Sequence, residues 1–208
     1  MFFRVLFAHK IFKIIKWAFL VLLGLFIVLV IIRAFHFYNL DKINAQVEKI
    51  HNTKLTIDDV MGKNLPPDPG ALADATVQGI DANNNGIRDD VELAVFKEYP
   101  NSAKTRAVLL QYALVLQMQL TLPLLTTETA TALIEDNDSR ANVCLWNLSS
   151  RSNMKKFLAD MKKYESFIEQ LQFNNEQRKK AQENFYEYVR SYSMSNDGCD
   201  LDLSTLPN

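Results

Sequence analysis

The chain is short of histidine. Its three are His9, His36 and His51, and none follows residue 51. A Ser-His-Asp or Cys-His site beyond that point is excluded, because no imidazole is left there to act as base. Glycine is also sparse, at six residues, and no glycine-rich phosphate loop occurs. Alternation of apolar and polar residues, the mark of a half-buried strand, persists nowhere. Cysteine is limited to Cys144 and Cys199. Carboxylates are plentiful, and a pair such as Glu135 and Asp136 could do acid–base work. Adjacent acids on a helix are more simply a solvated face. The aromatic series Tyr164, Phe167, Phe185, Tyr186, Tyr188 and Tyr192 is most simply core.

Charge is unevenly placed. Residues 1–16 carry Arg4, Lys10, Lys13 and Lys16 and no acid. Beyond Arg33 there are 18 basic and 24 acidic residues. A nucleic-acid partner is disfavoured, since it wants a basic face on the folded domain. Residues 17–32 are uninterrupted and apolar. Sixteen helical residues cover roughly 24 Å, so the run needs Ala34, Phe35, Phe37 and Tyr38 to reach a bilayer core of about 30 Å. Lys16 and Arg33 can snorkel outward, and Trp17 and Tyr38 suit the two interfaces. The basic flank puts residues 1–16 in the cytoplasm and the rest outside it, by the positive-inside rule. A cleaved signal peptide is the competing reading, but no A-x-A-like site follows the run.

The most distinctive stretch is Asp81-Ala82-Asn83-Asn84-Asn85-Gly86-Ile87-Arg88-Asp89-Asp90-Val91-Glu92. Oxygen-bearing side chains fall at its positions 1, 3, 5, 9 and 12, with glycine at 6. A hard cation needs six to eight oxygens in one small sphere, and alternate residues of a tight turn can supply them. The expected calcium ligands are Asp81, Asn83, Asn85, the carbonyl of Ile87, Asp89 and Glu92. Only three of these are charged, so a weak site of roughly 10⁻⁵ to 10⁻³ M is expected. The alternative is an Asn/Gly-rich turn without metal.

The loop resembles an EF-hand loop, D-x-[DN]-x-[DN]-G-x5-E. It resembles the bacterial thrombospondin type 3 calcium repeat more, D-x-[DN]-x-[DN]-G-[IV]-x-D-x-x-[DE]. The aliphatic residue separates the two. EF-hand loops usually hold it at position 8, whereas here Ile87 is at 7 and Arg88 at 8. The resemblance covers about a dozen residues and implies Ca2+ as the bound ion and a bacterial setting.

The remaining pattern is helical. It predicts a polar helix over 39–54 and an extended linker at Leu65-Pro66-Pro67-Asp68-Pro69-Gly70. It then predicts helices from Asp89 to Tyr99, from Asn101 or Ser102 to about Leu122, and from Thr126 or Thr127 to about Leu148. The last helix of these lacks a full capping box in its sequence. Ser152–Phe173 and Asn175–Tyr192 follow as an antiparallel hairpin. Ala107–Thr127 carries no charge over 21 residues. Gln111, Gln117, Gln119 and Pro123 favour a buried core helix over a second span there, with a partner-binding face as a third reading. Cys144 and Cys199 are expected to form a disulfide in an oxidising compartment.

The expected architecture is therefore mainly α. Residues 1–16 form a basic stub, 17–38 a transmembrane signal-anchor, 39–70 a juxtamembrane helix and linker, and 71–208 a helical-bundle domain carrying the calcium loop. The expected setting is the bacterial inner membrane, with the domain in the periplasm. The expected role is a non-enzymatic accessory or interaction protein with a protein partner. A membrane-tethered envelope enzyme that uses calcium structurally is the alternative.

Overall fold

The computed structural model describes residues 2–194 and 197–207, with side chains from Phe12 onward except at position 14. The side chains of Arg4 and Lys10, from the expected basic stub, and residues Ser195 and Asn196 lie outside that description. Among the described residues there are helices and no strands, as a mainly α fold requires. Contacts divide the chain into two compact units, Met1–Ala45 and Gln46–Asn208.

The first unit belongs to α1 (Phe2–Asn52), a single unbroken helix. Its stretch Ile15–Asn52 is long and apolar enough to cross a membrane, and no other helix among the described residues is. Trp17 and Tyr38 stand about 32 Å apart along the axis, close to the thickness of a hydrocarbon core. Arg33 lies over the Phe37 ring at 5.0 Å, and Lys42 over Tyr38 at 4.4 Å. These stacks give the cationic heads an aromatic surface to follow outward.

The second unit includes the last turns of α1. Ile50 is fully buried there, as is Val60 in the segment that follows, and Leu55, between them in sequence, is buried. Helix α2 (Ile57–Met61) begins in a capping box between Thr56 and Asp59. The segment 65–69 has no regular secondary structure, and a 3-10 turn, Gly70–Asp74, comes after it. Helices α3 (Asp89–Glu98) and α4 (Ala103–Thr121) follow. Ser102 caps α4 by accepting from the Thr105 N–H at 3.1 Å.

Helix α4 is the axis of this unit. It touches α2, α3, α6, α7 and α8 and is buried along nearly its whole length. A helix apolar on every side has no solvent face to offer and is stable only at the centre. Its glutamines are buried, with partners. Gln117 donates to the Gln78 carbonyl at 2.7 Å, and Gln111 accepts from the Asp200 N–H at 2.9 Å. The uncharged run is thus a core helix, as expected.

Helix α5 (Thr127–Leu133), a π-helical turn (Ile134–Asp138) and α6 (Ser139–Trp146) form one run, the helix expected from Thr126 or Thr127. A capping box is present after all, with Thr129 in the position usually held by an acid. A hydroxyl can reach back to the N-cap amide as a carboxylate does. The π turn inserts one residue and redirects the side chains of Asn137 and Asp138. Helices α7 (Met154–Gln172) and α8 (Glu176–Tyr188) are capped by Asn153 and Asn175. They do not pack along each other as a hairpin. Helix α7 lies on α3, α4 and α6, while α8 lies on α4 and α5. Phe185 draws α8 away, because it fills a separate cluster with Ile50, Ala130, Leu133 and Ile134.

Cys144 and Cys199 are bridged, with Cα atoms 4.5 Å apart. The bridge ties the C-terminal tail to α6. Asp200, next to it, pairs with Arg140 and accepts from the Leu55 N–H at 2.9 Å.

Candidate metal centre

The loop 81–92 makes its reversal through two residues in the left-handed region, Asn84 at φ 57° and Gly86 at φ 85°. Glycine at 86 has a second cause: a Cβ there would come within 2.8 Å of Leu114 Cδ1 on α4. The Asp81 carboxylate turns into the loop. It accepts from the Asn85 N–H at 3.1 Å and the Gly86 N–H at 2.9 Å. Asn85 Oδ1 accepts from the Ile87 N–H at 2.9 Å. Asn83 donates to Glu92 Oε2 at 3.0 Å and to the Asn64 carbonyl at 3.0 Å. Asp89 accepts from the Ala82 N–H with both oxygens, at 3.0 and 3.2 Å.

Helix α3 supplies the other half. Asp89, Asp90 and Glu92 all lie in its first turn. That end of a helix carries partial positive charge, which favours carboxylates. Ile87, Asp89 and Glu92 are essentially buried. Burial pushes the Glu92 carboxyl up to about 7, against the lowering bond from Asn83 and with Asp59 and Asp89 adding to the rise. Burial also raises Asp89, with Asp81 and Asp90 contributing. Neither Asp89 nor Glu92 has an ion-pair partner among the described residues.

The structure thus brings Asp81, Asn83, Asn85, Asp89 and Glu92 into one hydrogen-bonded turn, with Ile87 anchored in the core beneath it. It does not bring three acids together at metal-holding distance: no such group of His, Cys, Asp or Glu occurs among the described residues. Half of the expected donors are amides or main chain, so the acids alone do not define the site. One feature fits a cation. Two buried carboxylates lack a compensating positive charge, which is costly to leave in place. Two features fit less well, since Asn83 presents an N–H to Glu92 where a cation wants oxygen, and Asn85 Nδ2, another donor, is buried without a hydrogen bond of ordinary geometry.

Sequence reasoning passed over the arginines that hold this loop. Arg88 is fully buried. It grips both oxygens of Asp90 and donates to the Leu171 carbonyl at 2.6 Å and the Gln172 carbonyl at 3.3 Å. It therefore satisfies the free carbonyl end of α7 and docks the loop there. Arg178 is also fully buried and donates to Ala73, Thr76 and Val77 carbonyls and to Asp74. It fixes the segment leading into the loop. The available signal was Arg88 itself, at the loop position where EF-hand loops usually hold an aliphatic residue.

Comparison with known proteins found no matching family model, no matching curated protein and no matching solved structure. The loop's geometry therefore carries the functional reading alone.

Proposed function

We propose that this is a single-pass protein of the bacterial inner membrane whose periplasmic helical domain binds one calcium ion and works as a non-enzymatic accessory or interaction protein. The observation that carries the reading is the pair of buried, uncompensated carboxylates Asp89 and Glu92 facing a turn rich in oxygen donors. Asp81, Asn83, Asn85, the Ile87 carbonyl, Asp89 and Glu92 would hold the ion. Calcium would supply the missing positive charge and cross-link the turn to α3. Millimolar calcium outside the cytoplasm would keep a weak site filled, so the ion acts as a staple rather than a signal. The apolar part of α1 supports the anchor, and the disulfide supports an oxidising compartment.

The test is the melting temperature of the full-length protein in detergent with calcium, magnesium or chelator. At calcium a hundredfold above Kd, mass action stabilises by about 2.7 kcal/mol, a rise of roughly 5–10 °C for a chain of this size. The Asp81→Ala, Glu92→Ala variant should lose that rise. Absence of any calcium-specific shift in the unmodified protein would reduce the loop to a metal-free turn.

A further inference from the structure

A second polar cluster lies among α4, the π turn, α7 and α8, apart from the calcium loop. Tyr112 and Gln119 from α4 form its buried floor, only 6 % and 3 % exposed. The π turn delivers Asp138, which accepts from Gln119 Nε2 at 3.4 Å and from Asn142 Nδ2 at 2.9 Å. Glu165 and Glu169 stand one turn apart on α7, and the Tyr112 hydroxyl donates to Glu169 at 3.1 Å. Tyr186 from α8 faces Asp138 and Gln119.

Three properties mark this cluster as unfinished. Asp138, Glu165 and Glu169 form no ion pair among the described residues. The Gln119 head sits against Asp138, yet its Oε1 is buried with no hydrogen-bond partner. Such an acceptor is costly to leave unpaired. Burial pushes Asp138 up to about 6 and raises Glu165, with Glu169 adding to the latter. At the edge of the cluster Glu169 and Tyr186 are exposed.

We propose that this cluster binds a guanidinium or primary ammonium group. The acceptors are spread across the floor and walls rather than converging on a point, and no metal-holding group of acids is found among the described residues. That layout suits a cation carrying several donors. A guanidinium has five N–H groups and an ammonium three. The inner end of the ligand meets Asp138 and the Gln119 carbonyl oxygen. Its flanks meet Glu165 and Glu169, and the Tyr186 ring offers a face for cation–π contact. The group could arrive on a free polyamine or on an arginine or lysine of a partner protein. The proposal does not depend on calcium at the other site.

The experiment is calorimetric titration of the full-length protein in phosphatidylcholine nanodiscs, with spermidine in one arm and an end-blocked Gly-Arg-Gly peptide in the other. Saturable binding of either probe is expected. The Glu165→Gln, Glu169→Gln variant should weaken it about tenfold or more, as loss of charged hydrogen bonds requires. Glu98→Gln, an exposed acid on α3, should leave it unchanged. Spermidine binding assigns a free amine, and binding of the peptide alone assigns a partner's side chain. No saturation by either probe at about 10 mM would overturn the proposal. So would equal weakening by Glu98→Gln, or unchanged affinity in a double variant whose circular dichroism and melting match the parent.

Discussion

Arg178 shows how much one side chain can carry here. Its guanidinium reaches three backbone carbonyls and the Asp74 and Asn174 oxygens from a fully buried position. Asp74 is held below its usual value by bonds from Asn174 and Arg178. Asp74 is itself largely exposed, so the ion pair is screened and contributes little. The carbonyls of Ala73, Thr76 and Val77 matter more, because removing Arg178 strands them. Arg178→Met is expected to cost roughly 3 kcal/mol in urea denaturation. Arg178→Lys should rescue only part of this, since an ammonium lacks the planar fork. Nothing in the sequence singled out this residue. An arginine in the first turn of a helix reads as a mild mismatch with the dipole. Its role depends on carbonyls about a hundred positions away.

Among the elements, helix boundaries were mostly legible, and helix partners were not. Ser102, Asn153 and Asn175 each sit where a cap should, and each makes its bond. Those contacts are local, so local sequence contains them. Two features escaped. The Thr126–Thr129 capping box uses an uncommon second residue, and the π turn has no periodicity of its own. The expected α7–α8 hairpin failed for a different reason. A short link limits the distance between helix ends, but Phe185 and Arg178 decide what α8 lies against. The tail after α8 is held in part by the Cys144–Cys199 bridge to α6, which closes a loop of 55 residues. A Cys144→Ala, Cys199→Ala variant should lose roughly 4 kcal/mol in the chain-entropy account. Equilibrium denaturation with and without reductant checks this, and the variant should be indifferent to the reductant.

For the whole molecule, the proposed membrane topology would set the redox compartment and the supply of the proposed calcium ion together. One helix among the described residues is suited to span a bilayer, and the other long uncharged run is core. An alkaline phosphatase fused after residue 208 is therefore expected to be active, since that enzyme matures only outside the cytoplasm. A cytoplasmic C-terminus would remove the single-span reading, the disulfide and the calcium supply at one stroke.

Local sequence was enough for the helical class, the long apolar N-terminal helix, the central position of the uncharged helix and the outline of the 81–92 loop. Each is a matter of period, length or composition within a short window, and short windows obey local sterics and solvation. Tertiary packing was needed to show that residues before position 71 join the domain core and that buried arginines fasten the loop. It also decided that Tyr112, Gln119, Asp138, Glu165 and Glu169 meet. These contacts join residues far apart in the chain, and their energy comes from desolvation that no single segment experiences alone.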